Sequence, residues 1–121
     1  MHEVNIHVKQ NRLYITLAGF FTDEAAKQAS LQIADAMDGL ETGFDVITDV
    51  SECRPVTPVG NAEIQRMQEY ALSKGARQFI RVVGQRIITQ MQFDRASKET
   101  GIMADCVATI PEAEQLLDHL N

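Results

Sequence analysis

The sequence predicts a single α/β domain, residues 1–121, built on a five-stranded mixed sheet with the element order β-β-α-β-α-β-α-β-α. Two observations predict this fold. Two stretches near the N-terminus alternate polar and apolar residues on either side of a polar break, and after them strand patterns alternate with helical patterns. Because such alternation requires parallel strands joined by right-handed crossovers, we expect a single-layer sheet with helices mainly on one face.

The N-terminal half is predicted to contain a hairpin, a helix and the central strand. The two hairpin strands, joined by the polar residues 9–12, carry these alternating apolar residues: Val4, Ile6, Val8, Leu13, Ile15 and Leu17. Thr22 followed by two acids is typical of a helix start, and apolar residues recur at helical spacing as far as Leu40. Residues 44–50 form the most apolar strand pattern, which places that strand in the interior of the sheet.

The C-terminal half is predicted to alternate helix and strand. The predicted elements are a helix at 58–74, a strand at 77–84, a helix at 85–100, a strand at 102–110 and a helix at 111–120. Arg81 indicates that its side of the fourth strand is partly wet, so most helices are expected on the face opposite Arg77, Phe79 and Arg81. Cys106 falls on the apolar face of its strand and is expected to be a small core residue.

Composition and charge argue against several classes of function. The net charge is −6 and the isoelectric point is near 4.9, which argues against nucleic acid as the main ligand. The apolar runs are too short for a membrane span, and the N-terminus lacks the apolar core of a signal peptide, so we expect a cytoplasmic protein. Both cysteines are expected to be free thiols. The spacing of the cysteines and histidines does not match a zinc site, so no metal is expected. No cofactor is expected either.

The segment at 44–60, FDVITDVSECRPVTPVG, runs from a buried strand through a polar loop to a helix start. Open α/β sheets place their binding sites at strand ends of this kind. The next strand along the chain ends at the same edge, so residues from both strand ends are expected to converge. The residues that we predict to bind a partner or ligand are Asp49, Ser51, Arg54, Thr57, Gly60, Gly84 and Arg86.

Two short motifs in this segment carry a family resemblance. Asp49-Val50-Ser51 and, after a gap, 57–60 (Thr-Pro-Val-Gly) resemble the Asp-Leu-Ser and Asp-Ser-Ser-Gly motifs of the STAS domain of bacterial anti-sigma factor antagonists. The element order and the strand and helix at 102–120 are similar as well, and the wider STAS-like group shares its shape with CRAL-TRIO domains. The resemblance implies a non-enzymatic regulatory domain that binds a protein partner through loop 51–60 and the start of the following helix.

The chain departs from the family at the position of the phosphorylated serine. Pro58 stands there, between Thr57 and Val59, so the resemblance implies a phospho-switch that is degenerate or absent. An alignment shifted by one residue would instead make Thr57 the phospho-acceptor. From the residues alone, Thr57 is either the cap of the helix or a phosphorylation site that Arg54 could assist.

Other residues near the loop also have two interpretations. Asp49 either accepts hydrogen bonds from loop N–H groups or contacts a ligand. Cys53 is expected to be accessible, but no histidine lies near it in sequence, so a nucleophilic role is not expected. Four further residues either line a lipid pocket or belong to the ordinary core: Met37, Met67, Met91 and Phe93.

Three classes of function follow. The first is the interaction domain, and the alternative is a carrier of a small apolar, lipid-like ligand in a cavity between helices and sheet. An enzyme is the weakest hypothesis, because the sequence offers neither a Ser/His/Asp or Cys/His arrangement nor a Gly-rich phosphate loop. We also expect a homodimer formed through an uncovered sheet face. Its apolar residues are Val4, Ile6, Val8, Phe79 and Val83.

Overall fold

A computed structural model describes residues 1–84 and 87–120 of the chain, and in this part four helices pack on a five-stranded sheet. The predicted fold class and element order are confirmed. In chain order the elements are β1 (His2–His7), β2 (Arg12–Leu17), α1 (Asp23–Met37), β3 (Asp45–Asp49), α2 (Pro58–Ser73), β4 (Gln78–Val82), α3 (Ile87–Thr100), β5 (Ala104–Val107) and α4 (Ile110–Leu120). None of the described helices is long and apolar enough to cross a membrane.

The sheet is mixed, and its strands lie side by side in chain order, β1-β2-β3-β4-β5. β1 and β2 form the predicted antiparallel hairpin, whereas β2, β3, β4 and β5 run parallel to one another. β3 is therefore central, as its apolar sequence predicted. Because the parallel strands share a direction, the loops that follow β2, β3 and β4 all emerge at one edge of the sheet.

The helices α1, α2 and α3 cover one face of the sheet, and the prediction that Phe79 and Arg81 point away from this layer is wrong. Phe79 packs against the core between α1, α2 and the sheet, and only 4% of Arg81 is exposed. The charged group of Arg81 contacts side chains of a helix and is not exposed to water. Its guanidinium donates to Asp94 Oδ1 at 2.8 Å and to Ser97 Oγ at 2.6 Å, both on α3.

The helix α4 covers the opposite face over β3 and β4. Its Ala113 and Leu117 pack against apolar residues of those strands, which are Ile47, Ile80 and Val82. Two polar contacts hold the same helix to β2: Arg12 donates to Asp118 Oδ1 at 2.6 Å, and Tyr14 donates to Glu114 Oε2 at 2.8 Å. The amphipathic pattern at 111–120 therefore corresponds to a docked helix, as predicted.

Four of the five apolar residues assigned to an uncovered dimer face pack against helices instead, whereas Val8 is 68% exposed. Val4, Ile6 and Phe79 adjoin the core under α1 and α2, and Val83 adjoins the cluster around Phe93. The premise of the dimer prediction, an exposed apolar sheet face made by these residues, is therefore wrong. Homodimerisation itself stays a prediction.

Candidate functional site

The loop after β3 is fixed at its start by Asp49, the last residue of the strand. Asp49 Oδ1 accepts two hydrogen bonds, from the Ser51 N–H at 3.0 Å and from the Ser51 hydroxyl at 2.7 Å. This geometry is an Asx-type turn, in which a carboxylate replaces a backbone acceptor. The interpretation of Asp49 as a cap of loop N–H groups is confirmed, and a ligand contact by the same carboxylate stays a prediction.

The same loop is tied to both of its neighbours. On one side the Gly19 N–H donates to the Glu52 carbonyl at 2.8 Å, and the Arg54 N–H donates to the Gly19 carbonyl at 3.0 Å. On the other side the Gln92 amide of α3 accepts from the Val56 N–H at 2.8 Å and donates to the Val56 carbonyl at 3.1 Å. These four bonds satisfy the backbone of an irregular segment and hold it in one shape.

Thr57 is the N-cap of α2, with an extended backbone (φ −72°, ψ 167°) and Pro58 in the first helical position. Its Oγ1 accepts from the Gly60 N–H at 3.0 Å and donates to Asp23 Oδ1 at 2.7 Å. The cap interpretation is confirmed. A phosphate on this oxygen would face the Asp23 carboxylate, and two like charges at that distance repel.

The predicted convergence of two strand ends is present where Gly84 meets Ser51. A Cβ atom on Gly84 would lie 2.6 Å from the Ser51 carbonyl oxygen, so any side chain would force the two segments apart. Gly60 is buried in the first turn of α2, whereas Arg54 is exposed. Arg86, the remaining predicted site residue, lies outside the described residues.

Three large apolar side chains that are open to solvent belong to segments that bind this loop. Phe20 is 54% exposed, Ile88 is 63% exposed and Met91 is 56% exposed. Phe20 follows Gly19, while Met91 precedes Gln92 and lies one turn after Ile88, so all three adjoin segments that bind the loop. We call residues 51–60 together with Phe20, Ile88 and Met91 the loop surface.

The cysteines occupy the reverse of their expected positions. Cys53 is fully buried below the loop, next to Phe21 and Phe93, and its thiol donates to the Arg54 carbonyl at 3.4 Å. Cys106 is exposed, because β5 is an edge strand and the side chain lies near the margin of the helix layer. The predictions of an accessible Cys53 and a core Cys106 are both wrong.

A cavity of about 100 Å³ lies between the sheet and the helices α1, α2 and α3. Met37, Met67 and Phe93 line it, whereas Met91 points to solvent, and a lipid ligand in it stays a prediction. Most of the wall is apolar. Its polar side chains are Ser30, Thr48, Glu63, Gln68 and Arg81. The loop contributes to the wall as well, since Cys53 and Val56 form part of it.

Arg81 dominates the electrostatics of the cavity wall. Burial lowers the pKa of its guanidinium, and this effect is opposed by Cys106 and by the carboxylate of Asp94. A guanidinium nevertheless stays charged in proteins. The Phe93 ring, whose centroid is 5.3 Å from the guanidinium carbon, adds a cation–π contact.

No family model matches this chain, and no curated protein matches it either. Among the described residues there is no group of three or more His, Cys, Asp or Glu side chains that could hold a metal ion. The described geometry combines a hydrogen-bonded loop and exposed apolar side chains with an apolar cavity that holds a buried cation.

Proposed function

We propose that this protein is a non-enzymatic, STAS-like regulatory domain that binds a protein partner through the loop surface and the first turn of α2. The observation that carries the proposal is the combination of a hydrogen-bonded, fixed loop with exposed Phe20, Ile88 and Met91 around it. A surface that is already ordered loses little conformational entropy on binding, and apolar anchors contribute most of the affinity at protein interfaces.

In this proposal the domain acts in the cytoplasm and does not depend on phosphorylation of the loop. The Thr57 hydroxyl is already engaged with the Gly60 N–H and Asp23, which supports a structural role for it. The net charge of −6 supports a protein partner over nucleic acid.

The proposal is tested by quantitative affinity capture from an extract of the source cell with the wild-type protein and three variants. Phe20→Lys and Met91→Lys place charges on the loop surface, whereas Leu31→Lys is the matched control, since Leu31 is 60% exposed on α1. We expect one set of proteins to bind the wild type and the control but not the two loop-surface variants. Equal capture by all four proteins would contradict the proposal.

We propose as a second function that the cavity between the sheet and the helix layer carries a small apolar ligand. The supporting observation is the cavity itself, but its volume of about 100 Å³ is below the roughly 300–1,000 Å³ of typical ligand pockets. A lipid chain would require the helices to move away from the sheet. Mass spectrometry of the native protein under non-denaturing conditions tests this function, and we expect a mass increment that corresponds to a small molecule.

A further inference from the structure

We infer that the cavity binds a small monocarboxylate with a short apolar tail, and that Arg81 and Thr48 hold its carboxylate. The inference rests on the second function proposed above, in that the cavity is a binding site, and it adds the chemical class of the ligand. It is independent of the protein partner proposed for the loop surface.

The sheet register places the two residues next to each other, and both line the cavity. Thr48 of β3 is the direct neighbour of Arg81 on β4, so both side chains leave the sheet on the face that the three helices cover. Thr48 lies in the central strand below these helices and yet is only half-buried, because the cavity opens beside it. Within the described residues its hydroxyl makes no hydrogen bond, so it is available to a ligand.

Arg81 is a buried cation whose counter-charge lies outside the core. Among the described residues its carboxylate partner is Asp94, which is itself 54% exposed. Its two described hydrogen bonds, to Asp94 and Ser97, use two of the five N–H donors that a guanidinium carries. An anion in the cavity would offset the desolvation of this charge, which is why a carboxylate is favoured over a neutral group.

Glu63 also lines the cavity, but it does not select the opposite class of ligand. Its carboxylate is paired with Arg66 one turn later on α2. Arg81, by contrast, has only the half-exposed Asp94 as its described carboxylate partner, and its guanidinium cannot lose its charge. Arg81 is therefore the charge that the cavity must accommodate under all ordinary conditions.

The size of the cavity limits the tail. A volume of about 100 Å³ is two thirds of the roughly 150 Å³ cavity that admits benzene in a well-studied engineered protein. A tail of a few carbon atoms fits, with Ile15, Ile33 and Met67 among the apolar side chains around it. Butyrate is the simplest probe that combines such a tail with a carboxylate.

The experiment titrates the full-length, isotope-labelled protein with butyrate, 1-butanol and butylamine at constant ionic strength and follows backbone amide signals. We expect saturable shifts with butyrate at residues of the cavity wall, including Thr48 and Val56. We expect butyrate to bind about tenfold or more tightly than 1-butanol, the difference typical of one charge-assisted hydrogen bond. Octanoate is expected to bind no more tightly than butyrate, because its longer tail exceeds the cavity.

Variants separate the two polar contacts from the packing. Arg81→Met should remove the preference for butyrate over 1-butanol, and Thr48→Val should weaken butyrate binding several-fold. Tyr14→Phe is the control, since Tyr14 lies on the face covered by α4. If Arg81→Met does not fold, the comparison of the three probes on the wild-type protein decides the question.

The outcomes distinguish this inference from the function on which it rests. If 1-butanol or butylamine binds as tightly as butyrate, the carboxylate class is overturned while the cavity remains a binding site. If none of the three probes binds saturably, both the inference and the second proposed function are overturned. Neither outcome affects the protein-capture experiment at the loop surface.

Discussion

Replacement of Thr57 is the perturbation that best measures how the loop surface is held. Its hydroxyl connects the loop to two helices, because it accepts from the Gly60 N–H at the start of α2 and donates to Asp23 at the start of α1. Thr57→Ala removes both contacts and leaves the backbone free to keep its extended conformation. Thr57→Ser keeps the hydroxyl and serves as the matched control.

The expected magnitude follows from the two bonds. Loss of an N-cap side chain lowers the free energy of unfolding by about 0.5–2 kcal/mol, typically about 1 kcal/mol. The bond to Asp23 is charge-assisted but exposed, so it adds a smaller amount and brings the expected loss for Thr57→Ala to about 1–2 kcal/mol. Thr57→Glu should be at least as destabilising, because its carboxylate meets Asp23, although an isolated acid would suit this helix end.

Urea denaturation followed by circular dichroism measures these differences, with a double-mutant cycle that combines Thr57→Ala and Asp23→Ala. We expect a positive coupling energy between the two residues and less than about 0.5 kcal/mol of destabilisation in Thr57→Ser. A Thr57→Ala variant as stable as the wild type would refute the cap. A Thr57→Glu variant that is stable and loses partner binding would instead support a phospho-switch.

Three further predictions concern the core, the α4 contacts and the thiols. Leu117→Ala should lower the free energy of unfolding by about 2–5 kcal/mol in urea melts, because it leaves a cavity in a fully buried site. Burial and the hydrogen bond to Glu114 raise the pKa of Tyr14 above its ordinary value of 10.0, so its stabilisation should be complete below pH 10.0 and lost as the pH rises through the raised value. A thiol reagent should modify Cys106 in the native protein and Cys53 only after unfolding.

Two of these three measurements have a control variant, and the third has an outcome that would contradict it. Leu120→Ala, at an exposed position of α4, should cost less than about 1 kcal/mol, and an equal cost for Leu117→Ala would mean that α4 is loosely docked. Tyr14→Phe should abolish the loss of stability at alkaline pH. If that loss persisted in the variant, its assignment to Tyr14 would be contradicted. Native labelling of Cys53 would show that the loop opens readily.

The sequence predicted the elements well because their signals are local. Alternating Val, Ile and Leu residues define β1 and β2, and the apolar spacing of α4 includes its two buried residues, Ala113 and Leu117, although Leu120 of the same pattern is exposed. The assignment of faces failed at Arg81, because a charged residue in a strand pattern is compatible with water or with a buried partner. The partner Asp94 is 13 positions away on a different element, and periodicity carries no information about such a pairing.

In the candidate site, too, contacts between residues close in sequence were predictable and contacts between distant residues were not. Asp49 with Ser51 and Thr57 with Gly60 are separated by two and three positions, and both were predictable from residue type. Gln92 is the functional residue that the sequence interpretation missed, since it contacts Val56 across 36 positions. Gln90 and Asp94 are polar neighbours of Gln92 in α3, so no local signal distinguished it.

The Gln92 amide pairs with Val56 in the way that a neighbouring strand would, through one donor and one acceptor. The Val56 amide proton is thereby protected by a side chain of another element and not by regular secondary structure. Its exchange with deuterium should report the docking of α3 on the sheet, and a Gln92→Ala variant should exchange at this position without a loss of protection in β3. The part of the loop around Val56 thus keeps its position only while α3 stays docked, so a helix that follows the loop in the chain controls how long this part stays ordered.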